Sequence, residues 1–174
     1  MSLKPETGIE WVLTHLYKDG MIAHVREHPE DFVELARLAL LDRQPYSWRA
    51  AWLLWSCMEP NDPRLRVYIP EMIRAIPGKK SGHQRELLKI LSVMEIDEEL
   101  EGYLFDLCVT LWEQIHHQPS VRYTALRMIF SIADRYPELK MEIDFLTGDH
   151  YLESLSPGVR NAVERMRGEH FPAL

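Results

Sequence analysis

Four arginines recur along the chain at nearly even steps. Arg49, Arg85, Arg122 and Arg160 are separated by 36, 37 and 38 residues. A guanidinium stays charged at physiological pH and makes directed, paired hydrogen bonds through its planar fork. Two kinds of chemistry suit such a series. In one, each arginine sits in the first turn of a helix and bonds a carboxylate or loop carbonyl of a neighbouring unit. In the other, the four make a row of cations for an acidic partner or a phosphate backbone.

Trp48, Trp52 and Trp55 lie at i, i+4 and i+7, on one face of a helix. Buried, they fill the seam between units. Exposed, they hold a peptide side chain or stack a base, and Arg43 and Arg49 add a positive field beside them. The candidate binding surface is therefore Trp48, Arg49, Trp52, Trp55, Arg85, Arg122 and Arg160.

Other groupings carry less. His116-His117, with Asp149-His150 and Glu153, invites a metal reading. A ligand set needs three or four converging groups, and two adjacent histidines cannot both point inward from a helix. Glu98-Glu99-Glu101 and Glu142-Asp144 read as solvated faces and helix N-terminal charges. Lys79-Lys80 sits in a Pro-Gly-Lys-Lys-Ser-Gly turn without the glycine spacing of a phosphate loop. The chain has no Gly-x-Ser-x-Gly, Walker or Gly-x-Gly-x-x-Gly pattern. The expectation is a non-enzyme with no catalytic residue, cofactor or metal.

The elements that must position these residues are helical. Leu100, Tyr103, Leu104, Leu107, Cys108, Leu111, Trp112 and Ile115 advance in steps of one, three or four, which is one continuous helix face. Phe32 to Leu40 and Leu65 to Ile76 repeat the pattern. Thr7 with Glu10, and Ser81 with Gln84, have capping-box spacing. Asp62-Pro63 and Ser156-Pro157 put a capping side chain before a first-turn proline. Breaks are expected at Asp19-Gly20, Gln44-Pro45, Glu59 to Pro63, Pro77-Gly78, Tyr136-Pro137 and Thr147-Gly148-Asp149.

Each arginine of the series opens a helix: Ser47-Trp48-Arg49, His83-Gln84-Arg85, Pro119-Ser120-Val121-Arg122 and Pro157-Gly158-Val159-Arg160. A period of that size, with helices on both sides of each loop, marks stacked helical hairpins. The two Pro-x-Val-Arg openings resemble the HEAT repeat. So does Tyr68-Ile69-Pro70-Glu71-Met72-Ile73, because HEAT first helices often carry a proline after two apolar residues. The likeness covers residues 29 to 168. It departs at Gln118, where the family usually has aspartate, and at Trp48 and Gln84, where it usually has valine. Trp48-Arg49-Ala50-Ala51-Trp52, with Leu87 to Leu91 and Leu104 to Cys108, is similar to a group of small bacterial helical-repeat proteins.

The resemblance implies an all-α, right-handed α-α superhelix, a HEAT-like solenoid. It would have about four hairpins, near 29–58, 62–95, 97–134 and 137–168, and an N-terminal helical cap over 7–28, as a single domain over 1–174. Second helices would line a concave surface.

Composition narrows the partner. The chain has 174 residues, 46% of them apolar, with 27 acidic and 20 basic residues for a net charge of −7. Such a chain buries enough surface to fold without disulfides, and its global charge disfavours nucleic acid or an anionic membrane. Cys57 and Cys108 read as free, buried thiols, and no segment reaches the roughly 18 apolar residues of a membrane span. Lacking a signal-peptide pattern, the chain is expected in the cytoplasm. The leading expectation is a scaffold for another protein or peptide. The alternative is a nucleic-acid binder resembling the HEAT-like alkylpurine DNA glycosylases. Self-association through an apolar end, including Phe171-Pro172-Ala173-Leu174, is a third.

Overall fold

The computed structural model describes residues 7–171, and every regular element among them is helical. The chain forms two compact units that join in sequence between Glu95 and Ile96.

The first unit contains α1 (Gly8–His15), α2 (Lys18–Glu27), α3 (Asp31–Leu40), α4 (Tyr46–Cys57), α5 (Ile69–Ala75) and α6 (Ser81–Leu91). Helix α1 starts with the full capping box. The Thr7 hydroxyl accepts from the Glu10 N–H, and the Glu10 carboxylate accepts from the Thr7 N–H at 2.9 Å. α3 and α4 pack as a hairpin, as do α5 and α6. First helices meet each other (α3 on α5), and so do second helices (α4 on α6). α1 and α2 cover α4. Phe32, Leu35, Leu53, Leu54, Met72, Ile73, Leu87 and Leu88 are fully buried between these layers. Each such side chain contributes about 1.5–3 kcal/mol.

The second unit contains α7 (Glu98–Glu113), α8 (Pro119–Ala133), α9 (Lys140–Leu146), α10 (Asp149–Leu152) and α11 (Pro157–His170). α7 and α8 form a hairpin, and α8 also packs on α9 and α11. Leu104, Cys108, Leu111 and Trp112 turn inward from α7, whereas Tyr103 on the expected face is exposed. Ser156 caps α11 by accepting from the Val159 N–H, as its spacing predicts.

Several local expectations are corrected. The chain breaks at Leu16 and Tyr17, both extended, rather than at Asp19-Gly20, which lies in the first turn of α2. An Asp-Gly turn needs a positive φ at glycine, and no described glycine has one. Asp19 instead brings negative charge to the N-terminal end of α2. Asp62 does not start an α-helix. Its carboxylate accepts from the backbone N–H groups of Glu59 and Arg64 and is gripped by the Arg64 guanidinium. The α-helix begins only at Ile69, so Pro70 falls in its first turn, where the missing N–H costs nothing. The Ser81–Gln84 box does not form, because Gln84 donates to the Ile76 carbonyl at 3.1 Å instead.

No helix among the described residues is long and apolar enough to cross a membrane. Of the apolar tail, Pro172 to Leu174 lie outside the described residues. Phe171 packs its ring 5.8 Å from that of Phe130.

Candidate functional site

Helix α4 has two sides. Ser47, Ala50, Ala51, Leu53 and Leu54 point into the first unit and are buried. The small Ala50 and Ala51 let neighbouring helices approach. The tryptophans lie beside that buried strip. Trp48 is 38% exposed, and Trp52 and Trp55 are half-buried. Alanine and leucine fill the buried strip of α4, and the tryptophans flank it, with Trp48 the most open of the three.

Trp48 forms a wall between two depressions. One, of about 380 Å³, is lined by Gln44, Pro45, Trp48, Lys80, His83 and Arg85 among others. The other, of about 460 Å³, is bounded by His15, Tyr17, Lys18, Trp48, Arg49 and Trp52, with apolar residues at its base. Neither is lined by an aspartate or glutamate. Each has two permanent cations, Lys80 with Arg85 and Lys18 with Arg49.

A backbone oxygen holds one of the two arginines and a carboxylate holds the other. Arg49 Nη1 donates to the Leu13 carbonyl at 2.8 Å, which fixes the guanidinium without neutralising it. On α6, the buried Glu86 takes Arg85 through Oε1, at 3.1 and 2.9 Å, and Lys89 through Oε2, at 2.7 Å. One carboxylate thus serves two cations, and a net positive charge remains. The Lys89 ammonium also lies 5.1 Å from the Trp55 ring centroid, a cation–π distance. His83 forms the floor of the smaller depression. Its Nε2–H donates to the Ala39 carbonyl at 2.7 Å, leaving Nδ1 to accept from the Gln44 amide at 3.3 Å. Burial pushes its pKa below the ordinary value, so the ring is neutral here.

The four arginines have different environments. Arg49 reaches back to the cap and bonds a carbonyl there, as repeat packing demands. Arg85 bonds its own neighbour Glu86. Arg122 is completely buried in the second unit, with donors on the carbonyls of Trp112 and Tyr151 and on the Ser154 hydroxyl. It is a structural strut and presents no charge to a ligand. Burial lowers its pKa. Arg160 is exposed on α11 and makes no ion pair among the described residues. The even spacing therefore marks equivalent helix openings, and the side chains meet unlike surroundings.

Lys18, Tyr17, His83 and Gln44 were not singled out by residue type, and Lys80 was weighed only in a turn that lacks phosphate-loop spacing. Lys80 and Gln44 carried a usable signal, since both sit in loops that precede arginine-bearing helices. Tyr17, at 92% exposure, carried none, because nothing in Leu16-Tyr17 marks a break.

His116, His150, Glu153 and Asp149 are exposed, and no group of three metal-ligating side chains converges among the described residues. Cys57 and Cys108 are free. The second unit has its own depression, with Glu98, Asp106, Glu138 and Glu142 among its walls and no cation.

No curated protein and no solved structure matches the chain. A known family does. Residues 11–169 match the HEAT repeat domain, a span that takes in both units and the layered hairpins seen in each. On that match and that architecture, the chain belongs to the HEAT repeat family.

Proposed function

We propose that this protein is a non-catalytic scaffold that binds another protein or a peptide, with the α4–α6 face of its first unit as the contact surface. One observation carries the reading. Trp48 stands partly exposed between two depressions, in a chain of a family whose repeats commonly serve protein interaction. Tryptophan and arginine are the residues most often found at energetic centres of interfaces, because they combine large apolar area with directed hydrogen bonds. Trp48, Trp52, Arg49 and Arg85 supply both within one face. The scaffold works in the cytoplasm, a setting that suits its two free thiols.

Capture at native salt on immobilised full-length protein, with Trp48→Ala alongside, tests this. The expected result is a specific partner recovered by the parent chain and lost, or strongly reduced, with Trp48→Ala. Recovery of no specific partner, or of one held equally by the variant, would overturn it. Thermal melts of both proteins show that the variant is folded.

A further inference from the structure

The charge on this face goes further than its shape. Acidic residues outnumber basic ones by 27 to 20 over the whole chain, yet the permanently charged residues lining both depressions beside Trp48 are all cations. We propose that the partner segment is a short acidic peptide. Its carboxylates meet Lys80 and Arg85 on one side of Trp48 and Lys18 and Arg49 on the other, with an apolar side chain against the indole. The inference rests on the scaffold reading and adds the chemistry of the ligand.

Three features support that choice. First, the two guanidiniums are held ready. The Arg49 guanidinium is anchored by a backbone carbonyl, which carries no charge to cancel its own. Lys89 and Arg85 share one carboxylate, which leaves a net charge on α6. Second, the indole is shared by both depressions, so one apolar side chain on it would leave flanking residues of an extended segment over each cation pair. Third, four cations at two points suit a few carboxylates better than a long polyanion. Nucleic acid carries a charge every few ångströms and would meet the repulsion of a chain at −7. A basic or neutral peptide would leave the cations desolvated without partners.

A displayed library of random twelve-residue peptides decides the question. It is selected on the full chain and counter-selected on Trp48→Ala, so that only peptides dependent on Trp48 survive. The expected survivors carry an excess of Asp and Glu around one apolar residue. The best of them should bind at least tenfold more weakly to Trp48→Ala, and several-fold more weakly to Lys80→Glu and to Lys18→Glu. Its affinity should fall as salt rises. Both lysines are exposed, so these reversals leave the fold intact. Survivors that are neutral or basic would overturn the acidic assignment and leave the scaffold standing. No survivor at all would overturn the peptide-binding site, and the native capture above then decides the scaffold separately. Displacement of the best peptide by a twelve-nucleotide single strand at lower concentration than by a second acidic peptide would overturn it in favour of nucleic acid.

Discussion

Arg122 lies over Trp112, with its guanidinium carbon 4.5 Å from the indole centroid, and its Nε donates to that same residue's carbonyl at 2.9 Å. Its other nitrogens reach the Tyr151 carbonyl and the Ser154 hydroxyl, both at 2.8 Å. One side chain on α8 therefore ties the end of α7 to the α10 region, while the Trp112 indole N–H donates to the Leu146 carbonyl at 2.8 Å.

Removing that side chain strands buried acceptors. Arg122→Met is expected to lose about 1–3 kcal/mol in urea unfolding, because the Trp112 and Tyr151 carbonyls keep their burial and lose their donor. Arg122→Lys should fall between the two, since an ammonium lacks the fork that reaches three acceptors at once. A loss under about 0.5 kcal/mol for the methionine variant, the usual range for surface substitutions, would contradict the strut.

Glu86 makes a prediction with two opposite signs. Glu86→Gln removes the one carboxylate that holds Arg85 and Lys89. Both cations are partly exposed and can regain water, so the expected destabilisation is modest, about 1–2 kcal/mol. The same change leaves the face more positive, and an acidic peptide should bind it more tightly at low salt. Calorimetric melting and peptide titration on one preparation check both halves.

Protonation of His83 should destabilise the first unit. Burial holds its pKa below the ordinary 6.5 and the Lys79 charge adds to that, while the Ala39 carbonyl and the Asp42 and Glu86 carboxylates oppose it. Below pH 6.5 the unfolded chain binds a proton that the folded ring resists, so stability rises with pH in that window. The contribution is complete above 6.5 and is lost as pH falls through the depressed folded value. Urea midpoints should drop on acidification from pH 7.5 to 5.5, and drop less for His83→Gln. Equal slopes for the two proteins would contradict the assignment.

Exposure of the indoles can be read in solution. Trp11 is 48% exposed and Trp48 38%, whereas Trp112 is fully buried and Trp52 and Trp55 are half-buried. Replacing Trp11 and Trp48 together with Phe should shift the remaining emission to the blue and cut acrylamide quenching markedly. Unchanged quenching would place Trp48 in the core.

The helical class and the family were legible because they rest on features repeated many times over, the apolar spacing and the Pro-x-Val-Arg openings. The Thr7–Glu10 box and the Ser156 cap were legible because such caps depend on neighbours in sequence. Asp62 and Gln84 were misread because each had competing partners near it that the capping pattern does not weigh. Each found a better partner through the folded loop, Arg64 for one and the Ile76 carbonyl for the other. The tryptophan face was visible as a spacing, but its exposure was not. Exposure depends on Ala50, Ala51, Leu53 and Leu54 supplying the buried side of α4, and on α1 and α2 leaving Trp48 partly open. The cations beside it, Lys18 and Lys80, come from the first residue of α2 and the residue before α6, and only folding brings them beside Trp48.

The affinity of the full chain for its Trp48-dependent acidic peptide, measured by calorimetric titration against Trp48→Ala at matched folding, tests the central claim most directly. The predicted result is a loss of tenfold or more with Trp48→Ala, together with weakening by salt. Equal affinity for the two proteins would contradict the assignment of this face as the binding surface.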